Sequence, residues 1–249
     1  MIAITGDVHG CINTLLLTAN NLLREHKLST WYFLGDIIDR GKGSKEVADL
    51  IISLSKRIGV KLLLGNHEDM MLSYLYKDNR YSFHHWLANG GDVTLESFTG
   101  FSGSDHYEEA LMGYLPFFNN MELYYEVAAG EKVFLLTHAG IYNVDAPVDN
   151  QIKLYPLHEQ MRCAPFIWER RAVQNKKKYN GYIQVFGHTP VSALNLDIPP
   201  NAPYHIYDDN GELTAIDIDT GCVYGYSLTT MLIDEKSGNF DFYSLPCLD

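Results

Sequence analysis

The first 64 residues alternate apolar strands with amphipathic helices, and this order constrains the fold more than any other feature. Strands are predicted at residues 1–5, 31–34 and 60–64. Between them, apolar residues recur at helical spacing over residues 12–24, and again over residues 44–58, where Ser44 is the predicted N-cap. A β-α-β-α-β order implies parallel strands joined by crossover helices.

The rest of the chain adds helices and then further strands. Residues 68–115 are predicted to be helical, with a capping box from Asp105 to Glu108. Residues 142–181 show no sustained period, and residues 195–212 are predicted to be a loop rich in Pro, Asn and Asp. Strands are predicted at 123–128, 132–137, 182–186, 214–218, 222–233 (broken) and 240–245. The expected fold is mixed α/β in a single domain over residues 1–249.

Composition excludes several classes of protein. Apolar residues make up 46% of the chain, which argues against intrinsic disorder, and no run reaches the ~18 apolar residues that cross a bilayer. The chain has 31 acidic and 19 basic residues, a net charge of −12, which disfavours DNA as a partner. The start lacks the pattern of a secretory signal, so a cytoplasmic location is expected. The four cysteines form no C-x-x-C pair, and zinc binding through them is not expected.

Five polar clusters each follow an apolar strand directly. In order they are Gly6-Asp7-Val8-His9-Gly10, Gly35-Asp36-Ile37-Ile38-Asp39-Arg40-Gly41, Gly65-Asn66-His67-Glu68, His138-Ala139-Gly140 and Gly187-His188. Ligands of α/β sheets bind beyond the carboxyl ends of the strands, so the clusters can converge on one site. Asp, Asn and His offer oxygen and imidazole ligands for manganese, iron or zinc. Each cluster alone fits a turn, a neutral imidazole or an ion pair, but their joint occurrence favours a two-cation site.

These motifs, which span residues 6–188, resemble those of the phosphoprotein phosphatase superfamily of binuclear metallophosphatases. The segments 85–91 (HWLANGG), 168–170 (WER) and 218–221 (IDTG) are similar to those of the bacteriophage lambda-type and bacterial serine/threonine phosphatases. The resemblance implies a calcineurin-like metallophosphoesterase fold, in which helices flank a β-sandwich.

The resemblance also implies a role for each site residue. Two divalent cations, with manganese expected and iron or zinc as alternatives, would be bound by the six residues Asp7, His9, Asp36, Asn66, His138 and His188. A hydroxide bridging the cations would attack phosphorus. His67 would protonate the leaving oxygen and Asp39 would orient His67, while Arg40 and Arg170 would hold the phosphate oxygens.

Arg170 is preferred to Arg171 because it stands two residues after Trp168, as in the lambda-type pattern. Five of the 19 basic residues lie between positions 170 and 178. This stretch is either a solvated loop or a rim that attracts acidic phosphopeptides or nucleotide phosphates.

The leading functional hypothesis is a phosphomonoesterase acting on phosphoserine and phosphothreonine in proteins, with phosphotyrosine as a further candidate substrate and no regulatory subunit evident from the sequence. The alternative is a symmetrical dinucleoside tetraphosphatase that releases nucleoside diphosphates, although that group often has glutamine in place of His9. RNA 5′-end decapping is a further alternative. A non-catalytic phosphate-binding scaffold would be expected to have degraded ligand positions, and none is degraded here.

Overall fold

Two five-stranded sheets pack face to face in the computed structural model, which describes residues 1–100, 107–155 and 157–249. The strands are β1 (Ile2–Thr5), β2 (Thr30–Phe33), β3 (Gly59–Leu62), β4 (Tyr124–Ala129), β5 (Lys132–Thr137), β6 (Ile183–Phe186), β7 (Tyr204–Tyr207), β8 (Leu213–Asp217), β9 (Ser227–Ile233) and β10 (Phe240–Pro246). The sheets are ordered β10-β9-β1-β2-β3 and β4-β5-β6-β8-β7.

Parallel strands form the centre of both sheets. β1, β2 and β3 are parallel, as the β-α-β-α-β order predicted, and so are β5, β6 and β8. β9 is antiparallel to both of its neighbours, and β4 and β7 are antiparallel to the strands beside them. The predicted mixed α/β sandwich is therefore confirmed.

Helices cover the outer faces of the sandwich. They are α1 (Ile12–Glu25), α2 (Ser44–Ser55), α3 (Asn66–Tyr76), α4 (Phe83–Trp86), α5 (Asp92–Thr99), α6 (Tyr107–Met112), α7 (Leu115–Phe118), α8 (Leu157–Gln160) and α9 (Ala164–Ile167). A π-helical turn, Leu87–Gly91, joins α4 to α5. The predicted capping residue Asp105 lies outside the described residues. No helix in the described part of the chain is both long enough and apolar enough to cross a bilayer.

Alternation along the strands divides the core into layers. Ile4, Leu136 and Val185 belong to the cluster between the two sheets. On the other face of the first sheet, Trp31 packs with residues of α1 and α2, such as Leu15. Burial of each such side chain contributes roughly 1.5–3 kcal/mol, so this alternation fixes which face of each strand points inward.

Two local predictions are wrong. β7 lies inside the predicted loop 195–212; it is an edge strand with one buried residue, Ile206, so its apolar signal is weak among the surrounding prolines and aspartates. Ser44 is not the N-cap of α2, because that position is Gly43. The Ser44 hydroxyl instead accepts a hydrogen bond from the Asp39 N–H at 3.1 Å.

The N-terminus of α1 is capped by a residue from the far end of the sequence. The side chain of Asp249 accepts the N–H groups of Asn13 at 2.9 Å and Thr14 at 3.1 Å, and the Thr14 hydroxyl at 2.7 Å. Cys11, at the N-cap position, makes no side-chain capping bond. Asp249 therefore ties the residues after β10 to the helix that follows the first polar cluster.

We expect Asp249→Ala to lower the free energy of unfolding by about 1 kcal/mol, because three hydrogen bonds at a helix N-terminus are lost. Urea denaturation followed by circular dichroism measures the change. Asp209→Ala is the matched control, since Asp209 is exposed in a loop. Equal midpoints for the two variants would refute the capping role.

Candidate metal centre

The five polar clusters converge on one site although they come from both sheets. The clusters after β1, β2 and β3 leave the first sheet, and those after β5 and β6 leave the second. All six predicted ligands, together with His67 and Asp39, are buried. The predicted arrangement of these residue types at the carboxyl ends of strands is therefore what the structure contains.

The carboxylate of Asp36 lies at the centre of the site. Its Oδ2 is 3.5 Å from His9 Nε2, 3.8 Å from His67 Nε2 and 3.5 Å from His138 Nε2. Two groups of ligand atoms, each within 4.8 Å of one another, share it: one with His9 and His67, the other with His138 and His188. Asp36 is thus common to two adjacent groups of atoms that could each bind a cation.

The charge of Asp36 is stabilised by its neighbours. Burial disfavours the carboxylate, but the imidazoles of His138, His67 and His9 and the guanidinium of Arg40 outweigh it and hold the pKa of Asp36 below its ordinary value. The Arg40 guanidinium also contacts His9 Nε2 directly. The site therefore holds this carboxylate ionised and surrounded by nitrogen atoms.

Hydrogen bonds from Nδ1 fix the orientation of two of the imidazoles. Nδ1 of His9 donates to the Ile38 carbonyl at 2.8 Å, and Nδ1 of His138 donates to the Leu34 carbonyl at 2.8 Å. Each bond turns the other ring nitrogen toward Asp36. The Asn66 side-chain oxygen lies 3.1 Å from His138 Nε2 and 2.8 Å from His188 Nδ1.

The donor set fits divalent cations. Burial, followed by the charges of Asp219 and Asp36, raises the pKa of Asp7 well above its ordinary value, so these carboxylates repel one another without a counter-charge. Nε2 of both His67 and His188 is buried without a hydrogen-bond partner among the described residues. Cations would neutralise the carboxylates and satisfy the open nitrogen of His188, whereas the open nitrogen of His67 can carry a proton.

Asp39 and His67 form a buried pair beside Asp36. Nδ1 of His67 donates to Asp39 Oδ2 at 2.7 Å, and Asp39 also accepts the Trp86 indole N–H at 3.0 Å and the Thr94 hydroxyl at 2.6 Å. Burial disfavours the imidazolium, but Asp36 and Asp39 outweigh it and raise the pKa of His67. Sequence reasoning assigned no role to Trp86 or Thr94, although Trp86 stands in the HWLANGG segment.

Glu68 is a second residue whose role the sequence did not reveal, although it ends the GNHE motif. Its Oε2 accepts the N–H groups of Asp36 at 2.8 Å and Gly65 at 3.1 Å. Its Oε1 accepts those of Ile37 at 2.9 Å and Ile38 at 3.3 Å. Burial and the charge of Asp36 raise the pKa of Glu68 to about 8, against the effect of these donors. One carboxylate thus holds the loops after β2 and β3 together.

The site backbone is unusual because five of its non-glycine residues have positive φ. They are His9 (44°), Asp36 (48°), Asp39 (68°), Arg40 (68°) and His188 (72°). Gly35 has φ +98°, and a Cβ there would lie 2.6 Å from the Gly65 nitrogen. Left-handed backbone at residues with side chains is costly and is typical of functional sites.

The two neighbouring arginines differ in their contacts. Arg170 donates to the Thr189 hydroxyl at 3.2 Å, beside His188. Arg171 is held in a two-bond pair by Glu169, at 2.8 and 2.7 Å, and covers the Tyr142 ring at 4.6 Å. Arg170 is thus the arginine of this pair that lies toward the metal ligands.

A pocket of about 760 Å³ opens beside His188. The Trp168 ring in its wall lies 5.9 Å from the His188 ring, centroid to centroid, and Trp168 also donates to the Tyr81 hydroxyl at 2.7 Å. The aromatic rings of the wall belong to Tyr81, His85, Tyr142, Tyr155 and Trp168, and its guanidinium groups to Arg162, Arg170 and Arg171. The WER segment contributes Trp168, Glu169 and Arg170 to this pocket, and the basic stretch 170–178 contributes Arg170 and Arg171.

We expect Glu68→Gln to lower the free energy of unfolding by at least about 2 kcal/mol, because the amide would oppose two backbone N–H groups with its own N–H₂. Thermal and urea unfolding measure the loss. Glu131→Gln, at an exposed position, is the matched control and should unfold as the wild type does. A Glu68→Gln protein as stable as that control would refute the bridging role.

Comparison with known proteins gives one family and a shared fold. A family profile described as calcineurin-like phosphoesterase matches residues 1–225. A bis(5′-nucleosyl)-tetraphosphatase PrpE [asymmetrical] from Halalkalibacterium halodurans is 25% identical, over 98% of this chain and 92% of that protein.

Two solved structures show the same fold at low identity. A protein provisionally named a diadenosine tetraphosphatase superposes with a TM-score of 0.61, at 19% identity over 100% of this chain and 94% of its own. A cold-active protein-tyrosine phosphatase from Shewanella sp. gives a TM-score of 0.54, at 20% identity over 97% of this chain and 79% of its own.

Proposed function

Because the chain belongs to the calcineurin-like phosphoesterase family, we propose that it hydrolyses bis(5′-nucleosyl) tetraphosphates asymmetrically, to a nucleoside triphosphate and a nucleoside monophosphate. The family makes it a metal-dependent hydrolase of phosphate esters and anhydrides. The observation that supports a dinucleoside tetraphosphate as the substrate is the pocket of aromatic rings and guanidinium groups beside His188. The name of the relative that aligns over 98% of the chain supports it.

The chemistry of the pocket matches a nucleoside with attached phosphates. A purine stacks on aromatic side chains with roughly 1–3 kcal/mol per base. The rings of Tyr81 and Tyr142 are backed by the guanidinium groups of Arg162 and Arg171, at 5.1 and 4.6 Å. The exposed Arg170 belongs to this wall and donates to Thr189, next to His188, where phosphate groups of a bound nucleotide would pass.

The position of the pocket favours asymmetrical cleavage. Trp168 contacts both the pocket and a predicted metal ligand, so a nucleoside in the pocket would place its own phosphate next to the cation site. Attack at that phosphorus forms a bond to the water oxygen and breaks the bridging P–O bond. The monophosphate then leaves from one side and the triphosphate from the other. The symmetrical reading of the sequence would require attack one phosphate farther from the nucleoside.

We assign the two cations to the six residues Asp7, His9, Asp36, Asn66, His138 and His188. When bound, divalent cations supply Lewis acidity toward the phosphate oxygens and activate water. His67 holds a proton on Nε2, the ring nitrogen nearer Asp36, and gives it to the leaving phosphate oxygen. Asp39 fixes the His67 ring through the 2.7 Å bond to Nδ1. Arg40 and Arg170 contact the phosphate oxygens and offset their charge.

The protein phosphatase hypothesis rests on motifs that contact only the phosphoryl group and therefore do not distinguish a protein from a nucleotide substrate. The phosphatase structure from Shewanella sp. is 20% identical and supports the fold alone.

A competition assay separates the substrates: manganese-loaded protein receives equal amounts of diadenosine tetraphosphate and a phosphoserine peptide. We expect ATP and AMP with little free phosphate. Dominant release of ADP would identify symmetrical cleavage, and dominant release of phosphate from the peptide would refute the proposal.

We expect Tyr142→Ala to raise KM for diadenosine tetraphosphate about tenfold, because one stacking partner worth roughly 1–3 kcal/mol is lost. Steady-state kinetics measure this, with p-nitrophenyl phosphate as a substrate that lacks the nucleoside and should be hydrolysed at the wild-type rate. Tyr207→Ala, on the edge strand β7, is the matched control. A parallel loss on both substrates would show that the pocket does not bind the nucleoside.

We expect His67→Asn to lower kcat for diadenosine tetraphosphate by roughly 10²- to 10⁴-fold, the usual contribution of general acid–base catalysis. Metal content, measured by atomic emission, should stay close to the wild-type value, which distinguishes lost proton transfer from lost cations. His84→Asn, on the exposed side of α4, should retain wild-type activity. Unchanged kcat in His67→Asn would remove this residue from the mechanism.

A further inference from the structure

Three of the four cysteines gather in one place, and none of them belongs to the ligand groups around Asp36. The Sγ atoms of Cys11, Cys222 and Cys247 lie within 4.8 Å of one another. Cys11 and Cys222 are buried, Cys247 is half-buried, and all three are free thiols. The absence of a C-x-x-C pair argues against a metal site of cysteines, but the fold brings together three cysteines that are distant in sequence.

The separation of the sulfur atoms suits a single bound ion. Metal–thiolate bonds of about 2.3 Å place three sulfurs roughly 4 Å apart around one ion, whether the geometry is trigonal or tetrahedral. Sulfur atoms already within 4.8 Å of one another need little movement to reach this arrangement. A disulfide, in contrast, would join two of the sulfurs and leave the third without a partner.

Each of the three cysteines is positioned by a different segment. Cys11 immediately precedes α1, and its Sγ lies 3.8 Å from the His9 carbonyl. Cys222 begins the 3₁₀ turn after Gly221, which has φ +66°. The backbone N–H of Cys247 donates to the Tyr226 carbonyl at 2.8 Å. The Asp249 cap on α1 holds the segment of Cys247 against Cys11.

The surroundings select the kind of ion. Cys11 and Cys222 belong to the hydrophobic cluster on the helix-covered face of the first sheet, with Cys247 packed against it. Thiolates bind soft cations, whereas Mg²⁺, Ca²⁺ and Mn²⁺ require oxygen ligands. The Asp36 centre differs in its ligands, which are oxygen and imidazole nitrogen.

We propose that Cys11, Cys222 and Cys247 form a three-thiolate site for a soft, thiophilic cation such as Zn²⁺ or Cu⁺. The ion joins three chain segments, at the start of α1, after β8 and after β10. It is structural, because it lies on the helix side of the first sheet among apolar side chains. This site is independent of the substrate and of the phosphoesterase activity.

Cadmium is the probe, because cadmium–thiolate bonds give a charge-transfer absorption that oxygen and imidazole ligands do not. Manganese-loaded, reduced protein is titrated with Cd²⁺. We expect a band that saturates at one equivalent per chain, together with a rise in Tm, because an ion bound by the native state stabilises it. No band, or a band that does not saturate at one equivalent per chain, would overturn the proposal.

Two variants locate the site. Cys247→Ser should lose the band and the rise in Tm, whereas Cys163→Ser should keep both, since Cys163 lies outside the cluster. An equal band in Cys247→Ser would overturn the assignment.

Alkylation of the wild-type protein tests the site without a variant. Cd²⁺ should protect the peptides of Cys11, Cys222 and Cys247 but not that of Cys163, and equal labelling with and without Cd²⁺ would refute the site.

Discussion

The rest of the site depends on the hydrogen bonds that the Glu68 side chain accepts. It accepts four backbone N–H groups, from the loop after β2 and the loop after β3. Those bonds hold Asp36 at a φ of 48°, which a residue with a side chain adopts at a cost of order 1–3 kcal/mol. Asp36 in turn lies within 4 Å of three imidazoles. A buried side chain that is not itself a predicted ligand thus sets the geometry of the predicted ligands.

The surroundings of the centre explain why a protein with a net charge of −12 is suited to phosphate chemistry. Asp7, Asp36 and Asp219 lie together in a region from which water is largely excluded, and their mutual repulsion favours the binding of cations. Cations bring more positive charge than these carboxylates neutralise. Arg170 and Arg40 add to it at the rim, so the substrate phosphates meet a locally positive surface.

Much of this was predictable because the motifs follow apolar strands, and strand ends in parallel sheets have a fixed position. The short segments from Asp7 to His188 are therefore enough to predict a common site. What escaped prediction depends on contacts across the fold. The Trp86 bond to Asp39 joins α4 to the loop after β2. β7 has one buried residue, too few for a clear strand pattern. Cys11 meets Cys247 through the pairing of β1, β9 and β10. The local sequence pattern predicts none of these three features.

The division of the ligands between the two sheets has a consequence for the exchange of cations. His138 and His188 follow β5 and β6, whereas Asp36 and Asn66 follow β2 and β3. Bound cations are therefore linked to the packing of one sheet against the other, since ions that bind only the native arrangement stabilise it. Loss of the cations would then weaken the sandwich first at this edge, where predicted ligands from the two sheets meet.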